Sequence, residues 1–308
     1  MATVDLSTPP PPPSGLLDAL PRRVGLTLPE LRLAAERAGG APLPFDLVDA
    51  PHAGALEDRL GVSLASSEDR AYATALETLH DPTETLTRRW LLLGDDLDDG
   101  LAGALGLLAT PTVAVDLDVN VEGVRARAWH READGAVATL ATVDGIVFEL
   151  AWFPTGAWAA ELARAAMLPA DRGVRATTLP DLVDLPFELL DSAAEAVRSN
   201  RADLVPVLAA RQAGTSVDAD GGRIGDVELA SMVAALVMDA RGRLRALGAD
   251  VSGDETRLVG VVSWVLLSDG WRSLRPHRDG DEQRVEVRRV TPEDLAGELA
   301  FVLAGVVS

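Results

Sequence analysis

The side chains of this chain that could carry out chemistry are few and widely spaced. The histidines are His52, His80, His130 and His277, and no two have the H-E-x-x-H or H-x-H spacing that brings two imidazoles to one metal ion. The sequence also contains no G-x-S-x-G turn, no G-x-x-x-x-G-K phosphate loop and no G-x-G-x-x-G motif after a strand. We therefore expect no catalytic residues, no cofactor and no metal, and the protein is not expected to be an enzyme.

One acidic stretch, Asp218 to Leu229, resembles the calcium loop of an EF-hand. Asp218 and Asp220 would be its first two carboxylate ligands and Glu228 its last. The third acidic ligand is missing and the loop is one residue short, and both changes weaken calcium binding. We interpret the stretch as a polar turn before a helix whose N-cap is Asp226.

Composition excludes several further functions. The chain has 308 residues, no Cys, 28 basic residues that are all Arg, and a net charge of −20. Disulfides, thiol catalysis, cysteine-bound metals and Schiff-base chemistry are excluded, and the acidity argues against nucleic acid or an anionic membrane as the partner. The acidic run GDDLDDG at Gly94 to Gly100 indicates charge at the start of a helix rather than a cation site.

Two similar motifs suggest that the chain is built twice. WHREADG begins at Trp129 and WVLLSDG begins at Trp264, 135 positions later. The sequence E-L-A follows each motif, at Glu161 and Glu298, while TLPEL and TLPDL occur 151 positions apart near the start of each half. This shared order predicts an internal duplication. Since the polar residues of WHREADG are replaced by aliphatic ones in WVLLSDG, we expect the two halves to present unlike surfaces.

The elements that would hold these motifs form the same series in each half. Hydrophobic alternation and turn residues predict four strands before each closing helix. The predicted strands are Thr112–Val119, Gly123–His130, Ala136–Val143 and Ile146–Trp152, then Arg243–Ala249, Arg257–Leu267, Gly270–Arg275 and Arg284–Val290. Because a shared sheet would cover strand edges, we expect an α+β fold with a pseudo-two-fold duplication around a central antiparallel β-sheet flanked by helices.

The predicted domain organisation is simple. Residues 1–22, with five consecutive prolines, are expected to be a disordered tail. Residues 23–308 are expected to form a single domain of two similar halves, about 24–168 and 175–305. No signal-peptide pattern or bilayer-length apolar stretch is visible, so a cytoplasmic location is expected.

Four stretches together carry a resemblance to a known family. They are GLTLPELRLAAERAGGAPLPFDL, DDGLAGALGLLATPTVAVDLDV, RARAWHREADGAVATLATVDGIVFELAWFPTGAWAAELARAAMLP and VVSWVLLSDGWRSLRPHRDGDEQRVEVRRVTPEDLAGELAFVLAG. Their order over about Val24 to Val307 resembles the EspG family, the cytosolic chaperones of actinobacterial ESX (type VII) secretion.

The resemblance implies a binding function. Members of the family hold substrates of the PE–PPE type by the apolar tip of the PPE partner, keep them soluble and direct them to one secretion system. A helical hairpin with an apolar tip is prone to aggregate, and covering the tip removes that hazard. A homodimer of the free protein is a further expectation. Alternatives are another non-catalytic protein-binding or immunity-type module on the same fold, or a cation-dependent hydrolase that uses the Asp clusters.

The expected partner-binding residues are apolar side chains of the second half. We place them on its helices and on the second W-x-x-x-x-D-G strand, while the Trp residues of the sheet are expected mainly to anchor packing. The predicted contact residues are Phe187, Leu190, Val205, Val207, Ile224, Met232, Trp264 and Leu266.

Overall fold

The structure is a computed structural model, and it describes residues 21–45, 80–168, 177, 179–212, 214–218, 222–253 and 255–303. The proline-rich stretch, and helices expected at Ala55–Leu60 and Glu68–Leu79, lie outside these residues. The strands are β1 (Arg22–Thr27), β2 (Leu92–Leu93), β3 (Asp96–Leu97), β4 (Val113–Val121), β5 (Val124–Ala133), β6 (Ala136–Thr142), β7 (Val147–Pro154), β8 (Leu182–Pro186), β9 (Val217–Asp218), β10 (Gly242–Asp250), β11 (Arg257–Leu267), β12 (Gly270–Asp279) and β13 (Glu282–Val290). The helices are α1 (Leu28–Arg37), α2 (Pro82–Arg88), α3 (Asp99–Ala109), α4 (Trp158–Ala166), α5 (Phe187–Arg198), α6 (Val205–Arg211), α7 (Asp226–Met238) and α8 (Asp294–Leu303).

Eleven of these strands form one sheet, and their order confirms the duplication. The order is β1-β7-β6-β5-β4-β10-β11-β12-β13-β8-β9. Outward from the central β4–β10 pair, each side has the same succession of five strands, and the two-residue strand β9 is added at the end of the second side. Helices α4 and α8 follow equivalent strands. The α+β fold with a large antiparallel sheet and flanking helices is therefore as predicted.

The sequence alignment of the two halves needs two corrections. Thr27 caps α1, whereas Asp181 of TLPDL precedes strand β8, and the helix after β8 is capped at Pro186. The TLPEL and TLPDL motifs are therefore not equivalent. The positions of the D-G residues in the two turns are also offset by one. Asp134 and Gly135 are both turn residues in the first half, whereas in the second half Gly270 already lies in β12 and pairs with Leu267 of β11.

Contrary to the expectation from their sequences, WHREADG and WVLLSDG do not give the two halves unlike surfaces. His130 and Arg131 are buried, and so are Val265, Leu266 and Leu267. Both sets of side chains therefore belong to the interior. Trp129, Trp152, Trp264 and Trp271 are buried as well, which confirms their role as packing anchors.

The described residues divide into two compact units. The first comprises residues 21–45, 80–111, 130–140 and 145–157, and the second comprises 112–129, 141–144 and the described residues from 158 onwards. In the first unit, α1 contacts α2, α3, β1 and β7, around leucines such as Leu31 and Leu105 that are fully buried. The organisation as one domain with halves at 24–168 and 175–305 stays a prediction.

Glu30 ties α1 to its neighbours in the first unit. Thr27 and Glu30 form a reciprocal capping box, in which the Thr27 amide donates to Glu30 Oε2 at 2.8 Å. The Arg89 guanidinium donates to the same carboxylate at 3.3 Å. Burial alone would raise the pKa of Glu30, but the hydrogen bonds from the Thr27 amide and the Thr85 hydroxyl, with the charge of Arg89, hold it below its ordinary value.

The second unit contains two apolar clusters on opposite faces of the sheet. Successive residues of β11 alternate between them, because side chains of a strand point to opposite faces. Trp264 and Leu266 pack under α4 and α8, whereas Val265 and Leu267 pack under α5, α6 and α7. The cross-strand pair Gly248 and Gly260 admits the end of α8, since a Cβ at Gly260 would lie 2.8 Å from Val302 Cγ1. We name the side of β4, β10 and β11 under α4 and α8 the covered face.

Glu298 of α8 joins two strands on the covered face. Its Oε2 accepts hydrogen bonds from Trp264 Nε1 of β11 at 2.7 Å and from Ser273 Oγ of β12 at 3.1 Å. Arg275 of β12 forms an ion pair with Oε1 at 3.1 Å. One buried carboxylate therefore satisfies a buried indole and links α8 to both strands.

The Glu298→Ala substitution should strongly destabilise the protein. It leaves the buried Trp264 indole and Ser273 hydroxyl without their acceptor, and we expect the free energy of unfolding to fall by about 2 kcal/mol or more. Urea denaturation measures the change. Glu293→Ala, at an exposed position just before α8, is the control and should change stability by less than about 0.5 kcal/mol. Equal effects of the two changes would contradict the role given to Glu298.

The Glu30 carboxylate should contribute stability that depends on pH. Since its folded pKa is below the value of 4.5 for the free group, its contribution is present above pH 4.5 and is lost as pH falls through the folded pKa. Glu30→Gln should therefore destabilise the protein more at pH 7 than at pH 3, as measured by urea denaturation at both values. Glu36→Gln, exposed on the same helix, should show no such difference.

Candidate functional site

The contact residues predicted from sequence separate into two groups. Those exposed or partly exposed lie on α5 and α6: Phe187, Leu190 and Val207. Those buried in the two clusters of the second unit are Val205, Ile224, Met232, Trp264 and Leu266. A buried side chain presents no contact area to a partner, so in this structure the second group builds the core that supports a surface. Their role in partner binding remains an untested prediction.

The opposite side of the central strands presents a different surface. On β10, Leu244 and Ala246 belong to the covered face, whereas Arg243, Arg245 and Leu247 alternate with them and are exposed. The register extends this surface to both neighbouring strands, because Leu247 pairs with Asp116 of β4. We name this side the open face. Its residues are Asp116, Asp118, Asn120, Arg125, Arg127, Arg243, Arg245, Leu247, Leu258 and Val261.

The open face has an exposed aliphatic patch. Leu247 and Val261 are cross-strand partners on β10 and β11, and 39% and 51% of their surfaces are exposed. Leu258, opposite Ala249, is 58% exposed beside them, because a register shift in β11 brings it to the same side. We name Leu247, Leu258 and Val261 the apolar patch. A contiguous group of this kind at the centre of a sheet marks an interaction site more often than isolated exposed side chains do.

Arginines border the apolar patch. The Asp118 carboxylate accepts hydrogen bonds from Arg125, with 3.0 Å between Arg125 Nε and Asp118 Oδ2, and these bonds raise the pKa of the guanidinium. Arg127, Arg243 and Arg245 have no ion pair within the described residues. In a chain with a net charge of −20, this excess of cations indicates a surface that complements carboxylates.

The sequence carried a signal for this surface that the search for motifs missed. The segment RLRALGAD at Arg243–Asp250 alternates charged and apolar residues, which is typical of a strand with one solvated face. Leu247 occupies a position in that alternation where a polar residue is expected. The pairing of Leu247 with Val261 depends on the register between β10 and β11, which the sequence alone does not give.

The acidic segments have structural roles where the structure describes them. Asp98 caps α3 by accepting the Leu101 amide at 3.0 Å, as expected for GDDLDDG. Asp218 lies in strand β9, Asp220 lies outside the described residues, and α7 is capped by Gly225 instead of Asp226. Among the described residues, no three His, Asp or Glu side chains come together as metal ligands.

Comparison with solved structures identifies the fold. The chain is similar to the type VII secretion system chaperone EspG5 of Mycobacterium tuberculosis, solved in complex with a PE25–PPE41 dimer, with a TM-score of 0.59 and 12% sequence identity. The similarity covers 92% of this chain and 96% of that chain, so this protein has an EspG-like fold throughout. No known family profile and no curated protein sequence matches the chain. No described helix has the length and apolarity needed to cross a membrane.

Substitutions on β10 should distinguish the two faces of the sheet. Leu247→Asn should change the free energy of unfolding by less than about 0.5 kcal/mol, because the open face is solvated. Leu244→Asn, three residues earlier and fully buried, should lower it by about 3 kcal/mol or more. Urea denaturation compares the two variants, and a large cost at Leu247 would show that this face is covered.

Proposed function

We propose that this protein is a non-catalytic chaperone of a type VII secretion system. In this proposal it acts in the cytoplasm, where it binds the apolar tip of a helical PE–PPE-type substrate and keeps it soluble until export. The EspG-like fold supports the proposal, since a solved protein of that fold is a type VII chaperone in complex with a PE25–PPE41 dimer.

The observation that carries the proposal is the open face. A chaperone for a helical tip needs an apolar surface that accepts aliphatic side chains, and the apolar patch supplies one on rigid central strands. The bordering Arg127, Arg243 and Arg245 select a tip that carries carboxylates and guide it during association. Two exposed positions predicted from sequence, Phe187 and Val207, remain proposed as a second contact region.

Binding of substrate should depend on the apolar patch. With a PE–PPE pair produced in the same cells, the chain should form a soluble, stoichiometric complex. Val261→Asp should raise the dissociation constant about thirtyfold, since a charge in the patch removes a contact worth about 2 kcal/mol. Arg245→Glu should slow association and reduce its salt dependence. Titration calorimetry and stopped-flow fluorescence measure these effects.

The matched comparison is Val207→Asp, at a position of similar exposure on α6. It should raise the dissociation constant by less than about fivefold, well below the effect of Val261→Asp, if the open face is the main contact and α6 only a second one. Loss of binding in this variant with retention in Val261→Asp would instead assign binding to the helices. A pair that stays insoluble in the presence of the wild-type chain would contradict the chaperone proposal for that pair.

A further inference from the structure

Strands β11 and β12 begin as a hairpin and then separate. Their pairing extends only from Leu267↔Gly270 to Trp264↔Ser273. Beyond that point β11 continues to Arg257 along β10, while β12 continues to Asp279 along β13. The two strands therefore form a fork, and each keeps a ladder on its outer side only.

Pro276 explains why the pairing stops. Continuing the hairpin register would place Pro276 of β12 opposite Val261 of β11. The Arg289 amide donates to the Asp181 carbonyl at 2.8 Å, so odd-numbered residues of β13 turn their backbone groups towards β8 and even-numbered ones towards β12. The β12–β13 register pairs these even-numbered residues of β13 with odd-numbered residues of β12. The even-numbered residues of β12 therefore turn their backbone groups towards β11. Pro276 therefore lacks an N–H on the side of β11, and its ring obstructs that ladder without disturbing the ladder to β13.

The separation leaves backbone groups of β11 unpaired. The Arg241 amide donates to the Leu266 carbonyl at 2.8 Å, so the even-numbered residues at this end of β11 turn their backbone groups towards β10. Val261 and Ser263 consequently direct their N–H and C=O groups towards β12, and the last hairpin pair, Trp264↔Ser273, still joins the Ser263 carbonyl to the Leu274 amide. Beyond Ser263 no described strand pairs with this side of β11, so the Val261 groups open into the fork. Such an edge is a template for an additional strand.

The surroundings of the edge define what it accepts. On the open face it is lined by exposed Leu258 and Val261, and on the covered face Val302 of α8 faces Gly260. Arg245, on the adjacent strand β10, is exposed and has no ion pair among the described residues. An added strand therefore meets aliphatic surface and unpaired positive charge.

We propose that the β11 edge from Arg257 to Val262 binds an extended peptide segment of a protein partner by strand addition. The segment alternates aliphatic residues, which pack against the side chains that line the fork, with acidic residues, which pair with Arg245. Backbone hydrogen bonds to Val261 hold it in register. This site shares Leu258 and Val261 with the proposed site for a helical tip, but it binds through main-chain groups of an extended ligand.

The test uses a fluorescein-labelled peptide of alternating valine and glutamate and the full chain. Fluorescence anisotropy should show saturable binding. Val261→Pro removes an N–H that points into the fork and places a proline ring there, and it should weaken binding about tenfold or more. Val261→Thr keeps both the N–H and the β-branched shape, and its affinity should stay within about twofold of wild type. Circular dichroism verifies that both variants fold.

A second measurement on the wild-type chain does not depend on how the variants fold. Methylating every second peptide nitrogen prevents hydrogen bonding along one edge of the extended peptide. The two possible sets of alternate nitrogens give two methylated forms, each blocked on a different edge. Strand addition predicts that one form binds like the parent peptide and that the other does not bind. Equal binding of both forms, unchanged binding to Val261→Pro, or occupation of the edge by a second copy of the chain in sedimentation velocity would each overturn the proposal.

Discussion

The antiparallel pairing of β4 with β10 is the constraint on which the rest of this structure depends. The two strands pair continuously from Gly242↔Val121 to Asp250↔Val113 at the centre of the strand order. Without this pairing each half would end in a long exposed edge. Because the pairing fixes the alternation of both strands, it also determines which side chains reach the covered face and which reach the open face.

The two faces of these central strands have opposite compositions for a physical reason. Under α4 and α8 the positions hold Val, Leu, Ala and Trp, and the two buried indoles donate to the Glu298 carboxylate and to the Ala166 carbonyl. The open face retains aspartates and arginines, so its aliphatic residues are not needed for the core. We expect Leu247 and Val261 to contribute little to folding where they lie, and the proposed binding of a partner would account for their exposure.

Much of the fold could be predicted from the sequence, and the reasons are local. Strand β11 has the predicted bounds, because hydrophobic alternation and flanking turn residues mark its ends. Helix α2 is not among the elements named from the sequence, although Asp81 and Pro82 form a recognisable helix start. The TLPDL motif misled the alignment, because a short match of sequence does not show whether a strand or a helix follows.

The candidate site could not be predicted in the same way. Apolar residues such as Met232 and Trp264 are the natural choice for contacts when burial is unknown, and the structure buries both. Alternation indicates that β10 has two unlike faces but does not indicate which one the helices cover. The apolar patch also depends on the register between β10 and β11, including the shift that brings Leu258 beside Val261. These are tertiary properties that no local pattern contains.

The mirrored strand order also has a consequence for the order of folding. Strands β4 to β7 are joined in sequence by turns of a few residues, so each of these pairings closes a small loop. The β4–β10 pairing closes a loop of about 120 residues, and the entropy lost on closure grows with loop length. We expect the local hairpins to form early and the central pair late, so that the open face is completed only after the surrounding elements have formed.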